Sequence, residues 1–294
     1  MKKTINIGIV IASIVLSIMM QSCKGDTTQE ATIQKQLNIS VMLDLSDRIS
    51  PEKHPAKPEH ADRDMAIVKE LIKFFKDDMN ALGRFNAKGR FRVFMEPAPA
   101  IANIEALQDE IIVDCSTIKD VQLKKDVYEN MEGNIMNALG EIYSETNRLK
   151  KFTGSDIWRF FKNDVDLCIS DDTNYRNILV ILTDGYIYAE GTTQKQGNRV
   201  QNLTKGTIGK YRSSADPISA MENDDFGLMT SRNDLQNLEV IVLEVAPENN
   251  NQKDEDILKY CIEKWLKEMG VGHYAVYKSD LPAKTAQRLH SFLH

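Results

Sequence analysis

The chain has 294 residues, 42% hydrophobic and 27% charged, a balance that suits a packed globular fold and excludes a disordered one. With 37 basic and 43 acidic residues its formal charge is −6, so it lacks the basic surface that non-specific nucleic-acid binding needs. Gly (15) and Pro (8) are too sparse for a low-complexity or collagen-like chain.

The chain opens as an address. Lys2 and Lys3 precede an apolar run from Ile5 to Met20, too short to span a bilayer comfortably and shaped like a signal-peptide core. The run ends at Gln21-Ser22-Cys23. A small residue before a Cys at this place resembles the lipobox of bacterial lipoproteins, with Met20 and Gln21 departing from the usual pattern. The resemblance implies that residues 1–22 are removed and that Cys23 carries a lipid. Residues 23–36 then form a flexible tether, and the protein sits in the bacterial cell envelope, periplasm-facing or surface-exposed, touching the membrane through the lipid alone. The plainer alternative is a secretory signal with an incidental Cys. Cys115, Cys168 and Cys261 remain, with no zinc-type spacing, and read as small buried hydrophobes.

Beyond the tether, strand and helix signals alternate. Residues 38–43 (NISVML) form a short apolar run suited to a buried strand. Residues 62–82 carry Met65, Val68, Leu71, Ile72, Phe75, Met79 and Leu82 at helical spacing, and Gly83 follows as a stop. Residues 90–95 (RFRVFM) are the next strand and 110–113 a short third. The stretch 120–149 is helical, with Gly133 and Gly140 as points where it could bend or split, and 155–166 is a further helix. Residues 177–183 (NILVILT) are the clearest central strand, and 238–245 (LEVIVLEV) another. Residues 254–269 make an amphipathic helix closed by Gly270, 273–278 (HYAVYK) a last strand and 281–293 a last helix. Six strands alternating with helices predict a doubly wound, mostly parallel sheet covered on both faces, in one domain over 37–294. The segment 186–237 is polar and turn-rich, and reads as a long insertion.

In such sheets ligands bind at the carboxyl ends of the strands. Asp44-Leu45-Ser46-Asp47-Arg48 follows the first strand, Gly154-Ser155-Asp156 precedes a helix, and Thr183-Asp184-Gly185 follows the central strand. Acids and hydroxyls from three segments make a hard-oxygen set suited to Mg²⁺ or Mn²⁺. The pattern resembles the von Willebrand factor type A domain and its metal-ion-dependent adhesion site. Asp44 and Ser46 match the first two positions of that family's D-x-S-x-S loop, Ser155 its hydroxyl loop with Ser in place of Thr, and Asp184-Gly185 its D-G turn. The resemblance implies Asp44, Ser46, Ser155 and Asp184 as metal ligands, and a non-enzymatic binding module whose metal is completed by an acidic side chain of a protein partner.

Arg48 stands where the family has its second Ser, and a guanidinium cannot ligate a metal. Either Arg48 neutralises Asp44 and Asp184 itself, or it points away and Ser50 or a water fills the gap. His54, His60, Asp62 and Asp64 follow as extra ligands or, more plainly, as a solvated loop. Asp44, Asp156 and Asp184 could also be mere turn and cap residues. The insertion should hang over the rim and offer Tyr186, Tyr188, Arg199, Tyr211 and Arg212 as partner contacts. The alternative class is a metal-dependent hydrolase on the same rim. Two acids with two or three hydroxyls favour adhesion; three or more acids favour hydrolysis.

Overall fold

The apolar runs form one sheet in the computed structural model, which describes residues 34–191, 193–247 and 251–294. Cys23 and the signal-like segment lie outside these. β1 (Gln36–Leu43), β2 (Arg90–Met95), β3 (Ile112–Asp114), β4 (Tyr175–Leu182), β5 (Leu238–Val245) and β6 (His273–Lys278) lie in the order β6-β5-β4-β1-β2-β3. All neighbours are parallel except β3, an edge strand antiparallel to β2. β1 and β4 are adjacent, with Asn38 opposite Asn177 and Leu43 opposite Leu182. The helices are α1 (His60–Ala81), α2 (Ile104–Glu110), α3 (Val121–Arg148), α4 (Ile157–Asn163), α5 (Lys205–Arg212), α6 (Pro217–Asn223), α7 (Gln252–Glu268) and α8 (Pro282–Leu293). None of the described helices is long and apolar enough to cross a membrane.

The period-two alternation of strand side chains divides the core in two. Ile39, Val41, Leu43, Ile178, Val180 and Leu182 face α1, α3 and α8, where Leu71, Phe75, Ile135, Leu139 and Phe292 meet them. Met42, Leu179, Ile181, Val240 and Val242 face the other way, toward α4, α7 and residues of 186–237. β5 breaks the alternation once: its register against β6 shifts between Val242 and Val245, and Glu244 sits at φ +70°. Such a bulge re-aims a side chain.

Two expectations differ from what forms. α3 runs unbroken through Gly133 and Gly140, because its buried face is continuous from Met131 to Thr146. The helix expected from 155 begins at Ile157: Asp156 accepts from the Arg159 amide at 2.9 Å as its N-cap, while Gly154 and Ser155 pair antiparallel with Ala189 and Tyr188. Gly154 has φ +91°, and a Cβ there would lie 2.2 Å from the Tyr188 carbonyl oxygen, so only glycine allows this clamp.

The insertion is a folded layer. Ile187, Leu203, Ile208, Met221, Leu228 and Leu235 are buried in the second core. The chain's two tryptophans pin it: Trp158 and Trp265 donate their indole N–H groups to the Met229 carbonyl at 2.7 and 3.0 Å. Only its beginning and the start of α5 reach the carboxyl rim.

Candidate functional site

β1 and β4 end side by side, so the residues that follow them are neighbours. Asp44 is fully buried. Its Oδ1 accepts from the Ser46 amide at 2.9 Å, a short Asx turn, and its Oδ2 accepts from the Thr183 hydroxyl at 2.7 Å. Asp184 uses the same device: its Oδ1 accepts from the Tyr186 amide at 2.9 Å. No hydrogen bond within the described residues reaches its other oxygen. Gly185 between them has φ +96°, which the turn requires, and donates its amide to the Thr183 hydroxyl oxygen at 3.1 Å.

Ser46, Ser155 and Asp184 line one open cleft of about 480 Å³ at this rim, with Asp47, Lys53, His54, Lys150, Lys151, Tyr186, Tyr188 and Lys205 around them. Asp44 lies behind the cleft wall. Ser155 is 2% exposed and its Oγ has no hydrogen-bond partner among the described residues; the Tyr186 hydroxyl is likewise buried and without a partner among them. An unpaired buried hydroxyl is costly.

Arg48 turns inward and is 1% exposed. Its Nε donates to the Asp44 carbonyl at 2.9 Å and stands 3.8 Å from Asp44 Oδ2. One terminal nitrogen donates to the Leu182 carbonyl at 3.1 Å and pairs with the buried carboxylate of Asp64, which also accepts from the Tyr143 hydroxyl at 2.8 Å. Asp64 is thus a structural ion-pair partner on α1, and the solvated-loop reading of this stretch fails for it. Arg48 is therefore not an outward-pointing arginine: among the acids its strongest attraction is to Asp64, then Asp44, with Asp184 the smallest contribution. Ser50 is buried, closes the short helical turn at 47–49 through its amide, and lies outside the cleft lining.

The electrostatics follow. Burial and the facing Asp44 carboxylate raise the Asp184 carboxyl to about 8, against smaller lowering contributions from the Tyr186 amide and Arg48. Asp64, with its own arginine, is pushed by burial only to about 6. One guanidinium serves three acids, and Asp184 is the one left short. Asp47 is turned to Lys53 at 3.2 Å and His54 at 3.9 Å. His60, partly buried beside Arg48, is pushed down to about 4 and is neutral; Asp62 is exposed on α1.

The donors Asp44, Asp184, Ser46 and Ser155 are all oxygen, which fits Mg²⁺ or Mn²⁺ and no softer ion. Among the described residues no group of three or more His, Cys, Asp or Glu converges as a metal cluster. Thr183, which orients Asp44, was hidden in sequence because its role depends on β1 lying beside β4.

Of the contact residues expected on the insertion, Tyr186 and the 47%-exposed Tyr188 reach the cleft. The other three do not. Tyr211 is 3% exposed, with its hydroxyl on Asp224. Arg199 is bidentate to Glu268 and also pairs with Asp225. Arg212 holds Asp254 at 2.6 Å. They tie the insertion together and to α7, because a layer built on short elements needs such cross-links.

No family model matches the sequence, and no curated protein does. Among solved structures the chain is similar to the pilus adhesin SpaC from Lactobacillus rhamnosus GG, at 10% identity and a TM-score of 0.42, over 89% of this chain and 30% of that chain.

Proposed function

We propose that the protein is a lipid-anchored, extracytoplasmic binding module of the von Willebrand factor type A kind, holding a divalent cation at its sheet rim to engage a protein partner. The observation that carries this is the cleft itself: Ser46, Ser155 and Asp184 line it, Asp44 backs it, and Ser155 Oγ lies buried there without a partner. Asp44 and Asp184, with the two serine hydroxyls, would hold Mg²⁺ or Mn²⁺. When bound, the ion supplies a strong local positive charge for a partner's carboxylate. The chain's own contribution is positional. The Ser46 amide and Thr183 hydroxyl fix Asp44, the Tyr186 amide fixes Asp184, and Arg48 compensates the acids beneath without filling the cleft. Two acids with hydroxyls, rather than three or more acids, favour binding over hydrolysis. Calorimetric titration of the full-length chain with Mg²⁺ tests the reading. One ion should bind per chain, and Asp184→Ala should abolish it; no heat in the wild type, or unchanged heat in Asp184→Ala, overturns it. Loss of membrane association in Cys23→Ser tests the anchor.

A further inference from the structure

The amino end of the sheet, opposite the cleft, carries an apolar patch. Phe85, Val121 and Leu123 are 59%, 61% and 57% exposed. Hydrogen bonds gather them at the start of β1. The Lys88 amide donates to the Gln36 side chain at 2.7 Å, so the loop over 83–89 abuts the first residue of β1. The buried Lys124 ammonium donates to the Phe85 and Ala87 carbonyls at 2.8 and 2.7 Å, which holds the first turn of α3 against the same loop. The patch is therefore a fixed feature. Phe85 rides on a loop clamped at two carbonyls, and Val121 and Leu123 flank the lysine that clamps it.

The charge beside the patch runs against that of the molecule. The chain carries a formal charge of −6, yet Lys35, Lys88 and Lys119 are exposed here and pair with no acid among the described residues. Of the acids at this end, Asp120 accepts from the Leu123 amide at 2.9 Å and Asp114 is held by Arg90 and Arg92. Asp171 and Asp172 lead into β4, on the other side of β1. Apolar side chains ringed by cations suit the interfacial layer of an anionic bilayer, where the apolar groups enter and the ammonium groups meet headgroups. A second copy of the chain would set like charges against each other across the same face.

The course of the chain points to the same occupant. Lys35 is twelve residues beyond Cys23, about 43 Å of chain at full stretch. A lipid on Cys23 thus keeps this end of the sheet beside the bilayer. β1 then runs eight residues away from it, about 26 Å, to the cleft. We infer that the face formed by Phe85, Val121 and Leu123 with Lys35, Lys88 and Lys119 rests on an anionic membrane surface, as a second contact beside the Cys23 lipid, and holds the cleft outward. This rests on the anchor reading for the nearness of the membrane, and is independent of the metal reading.

The test places the full-length chain, purified from membranes, on vesicles of phosphatidylglycerol and brominated phosphatidylcholine. Leu123→Trp should lose about half or more of its added emission to the bromolipid, and Tyr188→Trp, at the cleft, almost none. The native Trp158 and Trp265 are buried and give the baseline. Cys23→Ser should still sediment with these vesicles at low salt, about tenfold less once Val121→Ser and Leu123→Ser are added, and should release as salt rises. Both serines replace exposed side chains, and an unchanged Tm shows that the fold is kept. Equal quenching at 123 and 188 on vesicles that hold the lipidated chain, or sedimentation of Cys23→Ser indifferent to the serine pair, overturns the inference with the anchor intact. So does a concentration-dependent dimer that the serine pair dissolves, which gives the face to a second copy. If Cys23 of the purified wild type carries no lipid, the anchor reading falls, while low-salt sedimentation lost in the serine pair still supports the face.

Discussion

Asp184 and Glu244 stand at the carboxyl ends of adjacent strands, and they are treated in opposite ways. The Glu244 carboxylate accepts from Arg63 Nε at 2.7 Å, the Ser279 hydroxyl at 2.7 Å and the Thr285 hydroxyl at 3.1 Å. The β5 bulge aims it there, at φ +70°. Asp184 has one backbone amide and a carboxylate neighbour. A buried acid is tolerable once paired and hydrogen-bonded. The rim can therefore satisfy an acid fully and does so at Glu244; Asp184 is given one backbone amide among the described residues.

The largest effect should come from removing the cation beneath that incomplete site. Arg48→Met leaves Asp64 and Asp44 buried without their guanidinium and should cost about 3–5 kcal/mol. Arg48→Ser, which restores the second serine of the adhesion-site pattern, should lose as much stability rather than improve metal binding, because Arg48 holds Asp64 and does not block Asp184. Urea unfolding at neutral pH measures both, and a loss under about 1 kcal/mol would show that water reaches these acids. Arg63→Met should cost less, about 2–3 kcal/mol, since Glu244 keeps two hydroxyl donors. Tyr143→Phe removes one hydrogen bond from Asp64 and should cost about 1–2 kcal/mol.

Much of the frame was legible in the sequence because burial leaves a periodic trace. Runs such as NILVILT have no other stable place than a sheet interior, and the helix over 62–82 follows from its apolar stripe. Asp44 and Asp184 were legible through their positions after such runs. Arg48's role was not, because its partners Asp64 and Tyr143 come from two helices whose packing no local pattern records. The packing of the insertion was not legible for a related reason. Ile187, Leu203, Met221 and Leu235 have no common period, since each is placed by a short irregular element and by Met229 meeting two distant indoles. α2 escaped notice because its only buried residue is Leu107.

The contrast between the two acids also predicts a pH dependence. A carboxyl raised in the folded state binds its proton more tightly there than when unfolded. Its stabilising contribution is complete below the unfolded value, near 4, and is lost as pH rises through about 8. In the presence of a chelator, Tm should fall between pH 5 and 9, and Asp184→Asn should flatten the fall. Mg²⁺ should reverse the trend, because the ion needs the deprotonated form and binds better as pH rises. An identical profile in wild type and Asp184→Asn would mean that Asp184 is ionised throughout and already compensated.

The smallest effect on stability should accompany a large one on binding, at Ser155. Its hydroxyl has no partner among the described residues, so Ser155→Ala removes no hydrogen bond seen there and relieves an unsatisfied group; the change should stay within about 0.5 kcal/mol. The Gly154–Ser155 pairing with Tyr188 and Ala189 is backbone and survives the substitution. The same hydroxyl is one of the four oxygens assigned to the cation, so Mg²⁺ affinity should fall about tenfold or more, the scale seen for groups only one shell further out. Thr183→Val should separate the two consequences from the other side. It strips Asp44 of a donor at 2.7 Å and weakens the ion, but it also leaves a buried carboxylate short and destabilises the chain by about 1–3 kcal/mol. If Ser155→Ala instead destabilises the protein like Thr183→Val while leaving Mg²⁺ heat intact, Ser155 belongs to the framework and the cation, if bound, is held by the acids alone.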